Sequence, residues 1–196
     1  MIRLPATLLA IFLAQLAPGP QTVPYYIADG KGVAGYEPAD RDLAVLAVEA
    51  WSRESGGRVK FTKAVREEDA LLRVRWASPD QGLFGETQRI NVNGKPGATV
   101  FILPGVANMG EGFASRAARD PLFRDTIVYL TCVHETGHAL GLSHTANFED
   151  IMYYFGYGGD LVAYFLRYRA KLQTRADISK FSGLSPSDIA ELKRLH

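Results

Sequence analysis

His134-Glu135-Thr136-Gly137-His138-Ala139-Leu140-Gly141-Leu142-Ser143-His144 holds three of the chain's four histidines. Apolar spacing around it predicts a helix from Pro121 to Leu140, stopped by Gly141. On that helix His134 and His138 project from one face, about a turn apart. Two imidazoles so placed suit a single zinc ion at about 2.0–2.1 Å. Glu135 adjoins the first and can stand beside the metal without coordinating it, the position of a general base. Gly141 permits positive φ and reverses the chain, so that His144 can return as third ligand. Three protein ligands leave one position for water, the mark of a catalytic rather than a structural zinc. With 4 His and 19 Gly in 196 residues, the five fixed positions fall together by chance at odds of roughly one in 10⁵ over all windows. Coincidence is set aside on that ground.

Outward from the motif, the composition suits one soluble α+β domain. The chain is 47% hydrophobic and 22% charged, with net charge +1 and one cysteine. Such balance gives no field for a nucleic-acid partner, and one cysteine excludes an internal disulfide. Cys132, two residues before His134, reads as a small buried apolar residue rather than a ligand. At the start, Arg3 precedes an apolar run to Ala17 and then Pro18-Gly19-Pro20, the shape of a signal peptide over residues 1–20. The expected location is therefore secreted or periplasmic, with no membrane contact beyond that segment.

Residues 23–27, 59–62, 70–76 and 98–103 read as strands. Helices are expected over 38–55 and 160–173, and from Ser185-Pro186 through Leu195. Residues 78–97 read as a polar loop. Its Asp80, Glu86, Asn91 and Asn93 are candidate calcium ligands, although a plain loop explains them. Strands come early and helices late, which predicts a small mixed sheet with helices packed against it.

The eleven-residue motif resembles that of the metzincin metallopeptidases, and its surroundings resemble the matrixin branch. Asp150-Ile151-Met152-Tyr153-Tyr154 resembles the Met-turn that lies beneath the zinc. The step of eight residues from His144 to Met152 is similar to that of matrixins, as is Gly137-His138-Ala139-Leu140-Gly141-Leu142. Leu184-Ser185-Pro186-Ser187-Asp188-Ile189 resembles the start of the matrixin C-terminal helix, where the resemblance implies that Asp188 ties the helix to the Met-turn. Three features depart from that branch. Matrixins carry Pro where this chain has Tyr154; astacins and serralysins carry Tyr there, able to ligate zinc or donate to the oxyanion. Astacins place Glu after the third His, whereas this chain has Thr145. The structural-zinc histidines of matrixins are absent, the remaining histidine being His196, and no cysteine-switch propeptide is read.

The resemblance implies a zincin-type catalytic domain over 21–196 with an insertion at 155–184. It implies one catalytic zinc on His134, His138 and His144, Glu135 as general base, Gly141 and Met152 as structural support, and a peptide or protein substrate. Ala98, Thr99, Val100, Phe101, Ile102 and Leu103 would form the edge strand that pairs with an extended peptide. The pocket for the side chain after the scissile bond would lie behind the zinc, walled by 152–157. The aromatic 155–184 segment is expected either to pack on the lower half of the domain or to act as a lid or wall that closes one end of the substrate cleft. Rival readings are an inactive zinc-binding adaptor or inhibitor, and a narrow amidase acting on cell-wall peptides. Oligomeric state stays open.

Overall fold

The computed structural model describes residues 20–81 and 84–196; apart from Pro20, the expected signal segment lies outside the described residues. The elements are β1 (Gln21–Ile27), α1 (Asp40–Glu54), β2 (Val59–Lys63), β3 (Leu72–Trp76), β4 (Gly85–Val92), β5 (Lys95–Ile102), α2 (Glu111–Ala117), α3 (Pro121–Ala139), α4 (Leu161–Arg169) and α5 (Pro186–Leu195). The strands form one mixed sheet in the order β2-β1-β3-β5-β4. Every neighbouring pair is parallel except β4–β5. The α+β reading therefore holds. Among the described residues no helix is long and apolar enough to cross a membrane.

The expected loop at 78–97 is corrected: it contains β4 and the start of β5. Strand β4 was hidden by its polar sequence, Gly85-Glu86-Thr87-Gln88-Arg89-Ile90-Asn91-Val92, which leaves most of its side chains at least partly exposed. The signal that identifies it is Asn93-Gly94, where φ is +52° and +82°. Two successive positive φ values make the primed turn that joins antiparallel strands.

The edge-strand expectation is corrected in consequence. Ala98, Thr99, Val100, Phe101 and Ile102 pair with β3 on one side and β4 on the other, and Leu103 lies just past the strand. Strand β4 is the edge on that side of the sheet, and β2 on the other. The calcium reading also loses its geometry, because Glu86 and Asn91 stand five residues apart on an extended strand, about 17 Å at 3.4 Å per residue. Asp80 lies in a separate 3-10 turn, and Asn93 forms the hairpin turn. A further helix, α2, occupies part of the second expected loop.

The core lies where the sheet meets α1 and α3. Leu43, Ala47 and Trp51 of α1 recur at helical spacing and are fully buried, as are Phe123, Val128 and Tyr129 of α3. The Trp51 indole N–H donates to the carbonyl of Val133 at 2.8 Å, so the two helices are joined beside the first motif histidine. At the other end of α3, Asp120 caps the helix by accepting from the Phe123 N–H, and Pro121 follows in the first turn. Arg124 there closes on both carboxylate oxygens of fully buried Asp40.

Candidate active site

Helix α3 ends in a Schellman motif. The Leu142 N–H donates to the Gly137 carbonyl and the Gly141 N–H to the His138 carbonyl, each at 3.0 Å, while Gly141 takes φ +104°. Reversal at Gly141 does more than return His144. It brings the Leu142 carbonyl to 2.9 Å from His138 Nδ1. His134 Nδ1 lies 2.6 Å from the carbonyl of Ile151. A carbonyl only accepts, so both Nδ1 atoms carry the proton and both Nε2 atoms carry lone pairs.

These lone pairs converge. His144 Nε2 stands 3.2 Å from His134 Nε2 and 3.0 Å from His138 Nε2. Nitrogens held tetrahedrally at 2.0–2.1 Å from one ion would be about 3.3 Å apart. The donor set thus fits a zinc ion in kind, number and spacing, and among the described residues it is the one His/Cys/Asp/Glu group close enough to hold a metal. Burial lowers the imidazole pKa of all three, that of His134 to about 3. They are therefore neutral at pH 7, the form that binds a metal.

The turn beneath the histidines is fixed from three sides. Thr145 bridges it through the main chain, its N–H on Met152 O at 2.8 Å and its carbonyl accepting the Tyr154 N–H at 3.0 Å. Asp188 accepts the Ile151 N–H at 2.8 Å and, as the N3 member of the α5 capping box, the Ser185 N–H at 2.8 Å. The Tyr164 hydroxyl donates to the Asp150 carbonyl at 2.9 Å. One residue thereby links the two ends of this support: Ile151 gives its N–H to Asp188 and its carbonyl accepts from His134. Met152 is buried with its sulfur against α3, so that a Cβ on Gly137 would stand 2.5 Å from Sδ and 2.9 Å from Trp51. Glycine in mid-helix costs about 1 kcal/mol relative to Ala; here close packing requires it.

A cavity of about 580 Å³ opens beside the three histidines. One side is β4, from Gly85 to Arg89. The other is aromatic, with Tyr153, Phe155, Tyr164 and Phe165. Glu135 lies between them, almost buried, and burial raises its pKa to about 7 against the opposing hydrogen bond from Thr87. Tyr154 is 44% exposed at the rim, its ring 4.8 Å from that of His144. Cys132 is buried in the core, where desolvation raises its thiol pKa.

The 155–184 segment is built into the body of the protein. Tyr164, Phe165 and Tyr168 of α4 are buried, the Tyr168 hydroxyl donates to the Phe181 carbonyl at 2.7 Å, and Arg169 pairs with Asp120 at 2.8 Å. Helix α4 packs into the body of the domain, and its Tyr164 and Phe165 also line the cavity, so it is a fixed wall rather than a moving lid. Sequence reasoning did not anticipate the contacts of Thr87 and Arg89 with α3, because they require β4 to be recognised first.

No curated protein matches the sequence. Among solved structures the chain is similar to archaemetzincin from Methanopyrus kandleri, at 17% identity over 92% of this chain and 98% of that one, with a TM-score of 0.46. The matrixin family profile matches residues 20–160, most of the chain. With the three histidines and the Met-turn in place, the chain belongs to the matrixin family of zinc metallopeptidases.

Proposed function

We propose that the protein is an exported endopeptidase that cleaves extended peptides, with Glu135 as the general base. The observation that carries this reading is the position of Glu135. It is one residue from His134, nearly buried, on the floor of a cleft between an open strand edge and an aromatic cavity. The chemistry that zinc supplies when bound to three histidines is Lewis-acid polarisation of a carbonyl and a water pKa lowered toward about 7. The remaining steps belong to the chain. The outer edge of β4, unpaired among the described residues, accepts the peptide as an added strand. The side chain after the scissile bond enters the cavity between Leu130, Ile151 and Phe165. Glu135 takes a proton from the attacking water and passes it to the leaving amine. Tyr154 stands at the rim beside His144, where its hydroxyl can donate to the developing oxyanion. Export is read from the apolar run before Pro18.

Glu135→Gln tests the reading by removing only the base. Zinc content and melting temperature should match wild type, while cleavage of denatured casein falls by about 10²- to 10⁴-fold. Turnover within tenfold of wild type removes Glu135 from that role. Wild-type protein that binds zinc but cleaves nothing in a peptide library would favour the adaptor reading.

A further inference from the structure

The Glu135 carboxylate touches the sheet at residues outside the eleven-residue motif. Pairing of β4 with β5 sets Gly85 opposite Ile102 and Thr87 opposite Val100. Residues two apart on a strand share a face, and Gly85, Thr87 and Arg89 all meet α3. The Thr87 hydroxyl oxygen lies 2.6 Å from Glu135 Oε2 and 3.0 Å from the Glu135 carbonyl. A Cβ placed on Gly85 would stand 2.5 Å from Glu135 Oε1 and 2.8 Å from its Cγ. Arg89 donates to the carbonyls of His138 at 2.8 Å and Ala139 at 3.2 Å, bracing the negative end of the helix.

We propose that Thr87 is a positioning residue for the base: its hydroxyl pins Glu135 Oε2, and the bare backbone of Gly85 seats Oε1. A separation of 2.6 Å is that of a charge-assisted O–H···O⁻ bond, stronger than a neutral one. Thr87 is β-branched and held in a strand, so its own χ1 is stiff and the hydroxyl is a fixed anchor. Among the described residues Oε1 takes no hydrogen bond, which leaves it the oxygen available for proton transfer. Strand β4 then has two tasks. Its outer edge sets the register of the peptide, and its inner face sets the rotamer of the group that acts on that peptide. The spacing of base and scissile bond is thereby fixed by a single element.

This inference rests on the peptidase reading for its kinetic arm and on geometry for its structural arm. Thr87→Val keeps the branched shape and removes the hydroxyl. Zinc content should stay at the wild-type level while kcat falls about 10- to 100-fold and KM changes by less than about threefold. Thr87→Ser, which restores a hydroxyl, should bring kcat back to within about threefold of wild type. A merely structural Thr87 would show neither the split between kcat and KM nor the rescue. Gly85→Ala crowds Oε1 with the hydroxyl intact and should also lower kcat, which keeps the test sound if Thr87→Val fails to fold. Wild-type kcat in zinc-loaded Thr87→Val or Gly85→Ala overturns the proposal. Crystal structures of zinc-loaded wild type and Thr87→Val form the second arm. A carboxylate bonded to Thr87 in the first and rotated in the second supports positioning even if no peptide is cleaved, in which case only the peptidase reading fails. A carboxylate turned away from Thr87 in wild type, or unmoved in the variant, overturns it.

Discussion

The two ends of α3 treat the polar side chains they draw inward in opposite ways. At its start, Arg124 binds Asp40 through both oxygens, and Asp125 is held 3.2 Å from Arg175. Every charge there is answered by the protein itself. At its end, the imidazoles of His134 and His138 are neutral, each closed on a main-chain carbonyl through Nδ1 and left open at Nε2. A buried charge without a partner is costly, whereas a lone pair on a half-buried neutral ring that opens on a cavity costs less. One helix is thus fastened by ions it supplies internally and offers at its far end a site for an ion from outside.

The fastened end should give the largest effect on stability. Arg124→Met leaves the Asp40 carboxylate, 0% exposed, without its cation. Removing one partner of a buried pair costs about 3–5 kcal/mol, or roughly 6–20 °C in melting temperature for a domain of this size. Replacing Asp40 by Leu in the same chain should recover part of the loss, since two apolar residues need no pairing. Calorimetry of the single and double variants checks this. A single variant that melts with wild type would show that the internal ion pair does not fasten the helix.

The open end should respond to metal. Zinc at a thousand times its dissociation constant stabilises the folded state by about 4 kcal/mol, if the unfolded chain binds none. Chelation should therefore lower the melting temperature by about 8–16 °C. The metal-free protein should also be acid-sensitive. Burial lowers the folded pKa of His134 to about 3, against about 6.5 in an unfolded chain. Between those values the unfolded state binds the proton that the folded state refuses. Stability therefore declines as pH falls from about 6.5 toward 3, and this contribution is flat above that window. Melting curves in chelator at pH 7 and pH 5 measure it, and equal midpoints in wild type and His134→Gln at both pH values would break the comparison.

How much of this was legible differs between the two ends for a physical reason. His134 to His144 is a local pattern: helix period, glycine stop and ligand spacing are all set within eleven residues. The Asp150–Tyr154 turn and the Ser185-Pro186 start of α5 are local in the same sense. The fastened end joins Asp40 to Arg124 across 84 positions, and nothing in either neighbourhood announces the other. Strand β4 failed for a different reason. Its inner face carries Gly85, Thr87 and Arg89 rather than apolar side chains, so no hydrophobic alternation shows, and only Asn93-Gly94 marks the hairpin. From that one omission followed the misplaced edge and the missing contacts of Thr87 and Arg89 with α3.

The smallest effect is expected where the open end takes its support from a carboxylate. Burial raises the Asp188 pKa against the opposing main-chain hydrogen bonds. Its Oδ2 accepts from both Ile151 and Ser185 at 2.8 Å, while Oδ1 has only a long contact of 3.4 Å with the Met152 N–H. Asn at this position can keep the first two bonds through its amide oxygen, and its NH₂ then faces the Met152 N–H, donor to donor, in place of the long contact. Asp188→Asn should therefore cost only about 1 kcal/mol and weaken zinc binding by less than about tenfold. Asp188→Ala removes the acceptor altogether, freeing Ile151, whose carbonyl orients His134. It should weaken zinc binding by about 10- to 100-fold, the usual range for a group that orients a ligand. Zinc titration of the two variants separates the contributions. If Asn proves as damaging as Ala, the negative charge matters in itself, and the metal end depends on an internal ion much as the fastened end does.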